Sequence, residues 1–253
     1  MISTILAGIG VASKALDLIS NNVANAKSYG FKTSGMNFQD VYSAGGQPGK
    51  KVGEGAQLAK VTIRHERQGN LILTGNVLDL AIQGSGYFVL SDPDATRVKF
   101  TRDGSFSLNE EGFIVNQSGL FVRDIDGKAI QIPMEKQGSG LAELKINEKG
   151  QILATYGGKR TLMMATLGLA SFENPGALTP EGGGDFSESF ESGNAKINKA
   201  GISGLGLVKS GVLENSTTDI VQELVKMMTA QQTFSANAKM LQTHNDMTGR
   251  WLR

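Results

Sequence analysis

The chain has 253 residues, with 25 Lys and Arg against 24 Asp and Glu, two His, 33 Gly and no Cys. A net charge of +1 argues against a protein that neutralises nucleic-acid phosphates, which needs a basic surplus. The absence of Cys removes disulfides, thiolate nucleophiles, zinc ribbons and iron–sulfur clusters, and two distant histidines make a poor metal site. What remains is a chain apolar enough to bury a core and rich in the glycine that tight turns require.

The first thirty residues carry a helical stripe. Ile2, Ile5, Ile9, Ala12, Leu16, Ile19 and Val23 recur at alternating intervals of three and four. Gly8 and Gly10 weaken an isolated helix by about 1 kcal/mol each, so this one calls for a partner surface. The short amides of Asn21, Asn22 and Asn25 favour caps and turns, and the helix is expected to end among them. The apolar stretch Ile5–Ala12 follows no Lys or Arg and is soon interrupted by Lys14 and Asp17, so it reads neither as a cleaved signal peptide nor as a membrane span.

Residues 35–55 are rich in Gly, Ser and Lys and read as a connection or extended arm, as do residues 177–206. From about Val61 to Phe190 the period changes to two. Tyr87 and Val89, Val98 and Phe100, Phe106 and Leu108, Phe113 and Val115, Leu120 and Val122, and Ile130 and Ile132 alternate with other residues. Asp103-Gly104, Glu111-Gly112, Ser118-Gly119 and Asp126-Gly127 separate them as turns, and a further strand pair flanks Lys149-Gly150. An antiparallel β region rich in hairpins follows from this pattern.

Asp219, with Gln222 three residues later, resembles a capping box opening a helix to about Thr248. Ile220, Leu224, Met227, Phe234, Ala238, Leu241 and Leu252 share its apolar track, on which Gln231 and Asn245 are polar interruptions of the kind that set register. The expected fold class is therefore α+β: N- and C-terminal helices forming a coiled-coil-like inner domain, with an antiparallel, mainly β domain inserted between them. The expected divisions are 1–31 for the first helix, 32–75 for a Gly-rich arm and linker strands, 76–210 for the β-rich domain and 211–253 for the second helix.

No catalytic motif emerges. Gly84-Ser85-Gly86 lacks the third glycine and the following helix of a dinucleotide site, no Gly-Lys-Ser/Thr phosphate loop is present, and Asp124-Ile125-Asp126-Gly127 lacks the calcium-loop spacing. His65 lies in the polar run Arg64–Arg67 and is expected at a solvated surface or an interface, and His244 on the polar side of the second helix. The chain is expected to be no enzyme and to hold no cofactor or metal.

Several blocks resemble the flagellar rod and hook protein family. They are Asp17–Asn25 with Tyr29-Gly30-Phe31-Lys32, then Gly69-Asn70-Leu71 and Asn76–Ile82, then Gly86-Tyr87-Phe88, Thr101–Phe106 and Gly112–Val115. The series closes with Gly211–Ser216 and Glu223–Met228, in the family's order and across almost the whole chain. The resemblance implies a structural axial subunit, exported without a cleaved signal through the flagellar type III apparatus, that polymerises helically into the hollow rod. It implies self-association and contact with other rod and hook proteins, in the periplasmic rod of the basal body, with neither nucleic acid nor membrane insertion. A proximal rod subunit is favoured; the alternative is a short hook protein, extracellular, without its extra outer domain. The residues expected to carry assembly are Ile5, Ile9, Leu16, Ile19, Asn21, Asn22 and Asn25 on the first helix, and Leu224, Met227, Phe234 and Leu241 on the second.

Overall fold

A computed structural model of the chain describes residues 2–42, 53–93, 97–136, 139–158 and 160–251. The chain forms two compact units. One comprises Met1–Ala26, Thr33–Arg64 and Thr218–Arg253, and the other Lys27–Lys32 and His65–Thr217.

The first unit opens with α1, Ile2–Ala24. The helix closes in the amide cluster as the sequence predicts, with Asn25 N–H and Nδ2 both donating to Asn21 O at 3.1 and 3.0 Å. By length and composition alone α1 is apolar enough to cross a membrane, a test that the core helix of a soluble protein passes as well. Strands β1, Ser34–Tyr42, and β2, Gly53–Ile63, follow as an antiparallel ribbon with Ser34 opposite Ile63. Within the expected glycine-rich arm, residues 35–42 and 53–55 are thus strand, and its Gly45-Gly46-Gln47-Pro48-Gly49 segment lies outside the described residues. The unit closes with α2, Ile220–Trp251, whose first turn is capped by Asp219 Oδ1 accepting from the N–H groups of Val221 and Gln222.

The expected coiled-coil-like inner domain with an inserted β domain is not what forms. Among the described residues there are two α-helices, and the unit that holds them also carries the β1–β2 ribbon. A coiled-coil seam needs apolar residues at successive a and d positions. On α2 the covered residues are Glu223, Met227, Ala230, Asn237, Leu241 and His244, half of them polar. Met227 and Leu241 of the expected track are covered, but Glu223 in place of Leu224 faces inward, where the Asn22 amide holds its carboxylate, Nδ2 to Oε2 3.1 Å. His244 also lies on the covered line and not on the polar side. Nor is the β unit a single insertion, since the chain enters it at Lys27, leaves after Lys32 and returns at His65.

The second unit is antiparallel β. Within it β3 is Leu71–Leu73, β4 Leu80–Gln83, β5 Tyr87–Ser91 and β6 Val98–Thr101. Strands β5 and β6 pair in the middle of a nine-stranded sheet, and strands Ser139–Ile146, Gln151–Tyr156 and Arg160–Thr166 form much of a second one. Strand Leu207–Ser210 returns to β4, and Val212–Glu214 to β3. Leu80, Ile82, Phe88, Leu90, Ile114, Ile130, Ile132, Ile152 and Leu167 form the core, all at most 1% exposed.

One turn design recurs. Asn109, Asn116, Asp124 and Asn147 each accept two backbone N–H groups through Oδ1, and each is followed three residues later by Gly at positive φ, between 73° and 82°. The polar residue fixes the turn's start and glycine meets the left-handed position at its end. Sequence reading finds the glycines; the signal it misses is the Asn or Asp three residues before each.

Candidate assembly surface

The helical unit has almost no core of its own. Among its described residues the buried apolar side chains are Ala12, Ile19 and Ala26. Large apolar side chains stand outside instead: Ile2 and Leu6 on α1, and Val221, Leu224, Val225 and Met228 on the first turns of α2. A groove of about 480 Å³ in the same unit is lined by Ala15, Leu18, Met36, Phe38, Val225 and Thr229, among others. Single exposed apolar residues are ordinary, but contiguous ones mark an interaction surface.

The sequence-predicted assembly residues divide on this surface. Ile19 and Asn22 are buried; Ile5, Ile9, Leu16, Asn25, Met227 and Leu241 are half-buried; Asn21, Leu224 and Phe234 are exposed. Asn22 knits its unit together, with Nδ2 donating to Ser34 O at 2.9 Å and Oδ1 accepting from Ser34 N at 3.1 Å, besides its bond to Glu223. The α1–α2 approach is close at Gly8, where a Cβ would stand 2.8 Å from Asn237 Nδ2.

The second unit contains a site that the sequence reading does not anticipate. The chain passes between this unit and the helical one four times, before Lys27, after Lys32, before His65 and after Thr217, and the last three of these stretches come together within the second unit. Glu214, 1% exposed, sits where they converge. Its Oε1 accepts from Lys32 Nζ at 2.6 Å and from Gly69 N–H at 2.9 Å, and its Oε2 from Arg102 Nη1 at 3.4 Å. Lys32 Nζ also donates to Arg67 O at 2.8 Å, and Arg102 Nη2 to Gly84 O at 2.8 Å. Backbone bonds repeat the pattern: Gly30 N–H to Glu214 O, Asn215 N–H to Asn70 O and Thr217 N–H to Phe31 O, at 2.8, 2.8 and 3.1 Å. Gly30 permits this approach, with φ at 67° and a position where a Cβ would lie 2.4 Å from Asp103 N.

Burial sets the electrostatics here. It lowers the Lys32 ammonium below its ordinary range, an effect that the Glu214 carboxylate partly reverses and Arg102 reinforces. His65 is buried, not solvated as its polar neighbours suggest, with Nδ1 2.8 Å from the Tyr87 hydroxyl and its ring edge-on to Phe186. Burial, with the Lys32 and Arg102 charges, lowers its pKa to about 4, so the imidazole is neutral near pH 7. Tyr87, raised by burial to about 12, keeps its proton, and its ring lies 5.3 Å from the Arg102 guanidinium carbon. The arrangement presents no open nucleophile or acid–base pair. It is a buried clamp.

The chain is similar to known proteins along most of its length. The domain described as the D1 domain of the flagellar hook protein FlgE/F/G matches residues 81–154, and the C-terminal domain described for the flagellar basal-body rod FlgEFG protein matches residues 209–253. The flagellar basal-body rod protein FlgG of Bacillus subtilis is 32% identical, over 92% of this chain and 90% of that one. Those of Buchnera aphidicola and Caulobacter vibrioides are also 32% identical, over 95% and 96% of this chain and 94% and 95% of theirs.

Proposed function

We infer the function from the premise that this chain belongs to the flagellar basal-body rod protein family and is a structural subunit of the rod. Beyond that, we propose that its copies polymerise helically into a hollow tube that carries motor torque and leaves an axial path for exported subunits. The observation that carries the reading is the helical unit's missing core: three buried apolar side chains beside a row of uncovered ones. Such a unit gains its stability from tertiary cover that one chain does not supply, and neighbouring copies supply it in a polymer. A thin core also suits passage through the type III export apparatus, because the ends open at little cost. That the relatives matching nine-tenths or more of both lengths are named as rod proteins favours a rod subunit over a short hook protein.

The buried clamp fits the same role. Torque carried along the chain between the two units passes through the stretches that Glu214 ties together, and hydrogen bonds loaded side by side resist shear better than a single strand. The role is mechanical and not catalytic.

Leu224→Asp tests the assembly surface. Leu224 is 44% exposed, so the change leaves the monomer's melting curve within about 0.5 kcal/mol of the original. Placed against a neighbour's apolar surface, the carboxylate costs several kcal/mol. The variant is expected to be exported but absent from purified basal bodies, with motility lost. Normal incorporation would remove Leu224 from the interface.

A further inference from the structure

We propose that a second self-contact joins copies of this chain, between an acidic aromatic knob and a basic apolar turn on the mainly β unit. The proposal rests on the polymerisation reading above and names residues that would make one of its contacts.

Both surfaces spring from one pair of strands. Leu169–Ser171 and Lys196–Asn198 run antiparallel, with Ser171 opposite Lys196 and Leu169 opposite Asn198. Residues 172–195 leave and return at the first end, and residues 199–206 depart from the other. Charge is divided in the same way. Residues 172–195 contain five carboxylates and no Lys or Arg, with Glu173 paired to Lys196 at 2.6 Å, while residues 199–206 contain Lys199 and no Asp or Glu.

At the acidic end Phe190 is fully solvent-exposed, at 103% relative exposure, between Glu188 and Glu191. The loop cannot fold it back. Ser189 Oγ donates to Ala177 O at 2.6 Å, Ser189 N–H to Ser192 Oγ at 2.9 Å, and the buried Ser192 Oγ to Ser189 O at 2.9 Å. Ala195 N–H donates to Glu188 Oε1 at 3.0 Å, and Asn174 N–H to Ser192 O at 3.3 Å. An aromatic side chain held out by a loop already ordered pays little further entropy on docking, which is the character of an interface anchor.

The basic end is equally fixed. Ile202 is 52% exposed and Leu207 37%, with Lys199 beside them in sequence. Leu205 N–H bonds to Ile202 O and Gly201 N–H to Gly206 O, each at 3.0 Å. Ser203 at the tip has φ 55°, the one non-glycine residue at positive φ among the described residues. A side chain held in that region is strained, and such strain gathers where a surface has a task.

Phe190 of one copy therefore packs on Ile202 and Leu207 of the next, with Glu191 set against Lys199. The two surfaces differ and lie at opposite ends of one strand pair, so each contact leaves one of each kind free. That is a heterologous contact that propagates and does not close, and opposite charge fixes its register.

The chain has no Cys, so introduced thiols report on this contact alone. Phe190→Cys and Ile202→Cys chains are co-incorporated into basal bodies and oxidised with a copper catalyst. A disulfide-linked dimer, absent when either variant is present alone, is the expected result, because only Cα atoms within about 7 Å can be bridged. Both variants present without a dimer would overturn the contact while leaving polymerisation standing; absence of even the unmodified chain from basal bodies would overturn polymerisation itself. Charge reversal decides the matter if the cysteine variants fail to incorporate. Glu191→Lys and Lys199→Glu are each expected to lower incorporation about tenfold, and together in one chain to restore it. Failure of the pair to restore incorporation overturns the proposal.

Discussion

Glu214→Gln is the sharpest test of the clamp. The substitution keeps the side chain's shape and removes one charge from a site where Lys32, Arg102 and Glu214 are all less than 5% exposed. Two buried cations then lose their counter-charge, and breaking a buried pair in this way costs about 3–5 kcal/mol. At the sensitivity of a unit this size, the mainly β unit should melt about 10 °C lower. The loss should depend on pH in a defined direction. Lys32 is held below its ordinary pKa of 10.5, so between its folded value and 10.5 the unfolded chain binds more protons and stability rises with pH. Without Glu214 the folded value falls further, because the carboxylate is what raises it. The deficit of the variant is therefore largest near neutrality and shrinks towards pH 10, without vanishing, since Arg102 also loses the carboxylate it donates to. Urea unfolding at a series of pH values measures this, with hydrogen exchange at the Gly69 amide as a local readout. Lys32→Met in the same chain should recover part of the loss by removing one stranded cation. A deficit below about 1 kcal/mol, equal at all pH values, would show that Glu214 is not clamping charged partners.

Other expectations follow from neighbouring geometry. His65 titrates at about 4 in the folded chain against 6.5 unfolded, so stability is full above pH 6.5 and falls by about 3 kcal/mol as the pH drops through that window to 4; in acid unfolding, His65→Phe should flatten that part of the curve. Asn22→Ala strips Ser34 and Glu223 of a buried partner and should cost the helical unit about 2–3 kcal/mol, seen as faster amide exchange in α1 and β1 with the β unit unchanged. Gly30→Ala meets both a positive φ and the Asp103 backbone, and should lower the melting temperature of the β unit by more than Gly→Ala at the open position Gly10 changes that of the helical unit.

The pattern of the elements was legible because it is local. Periods of three to four and of two mark α1, α2 and the hairpins, and Asp219 announces its helix because an N-cap needs only the next three residues. His65 shows where such reading fails. Its neighbours Arg64, Glu66 and Arg67 are exposed and suggest solvent, yet Tyr87 and Phe186, distant in sequence, close over it. The track on α2 fails for a similar reason. Apolar spacing alone favours Leu224, but it is Glu223 that is buried, hydrogen-bonded to Asn22, 201 residues away in sequence.

Local residue patterns mark the two helices and the run of β-hairpins between them, and the motif blocks mark the family. Lys32, Arg102 and Glu214 each stand inside a separate block. That these three meet follows from long-range folding alone, because a buried carboxylate between two cations is stable solely where the chain stretches that bear them converge. Long-range folding likewise decides that the helices share a unit with a β ribbon and leave an apolar face uncovered. Periodicity records that a residue has an apolar side to its element; which surface meets that side is settled by long-range packing, and for Leu224 and its neighbours that surface is not on the same chain's described residues.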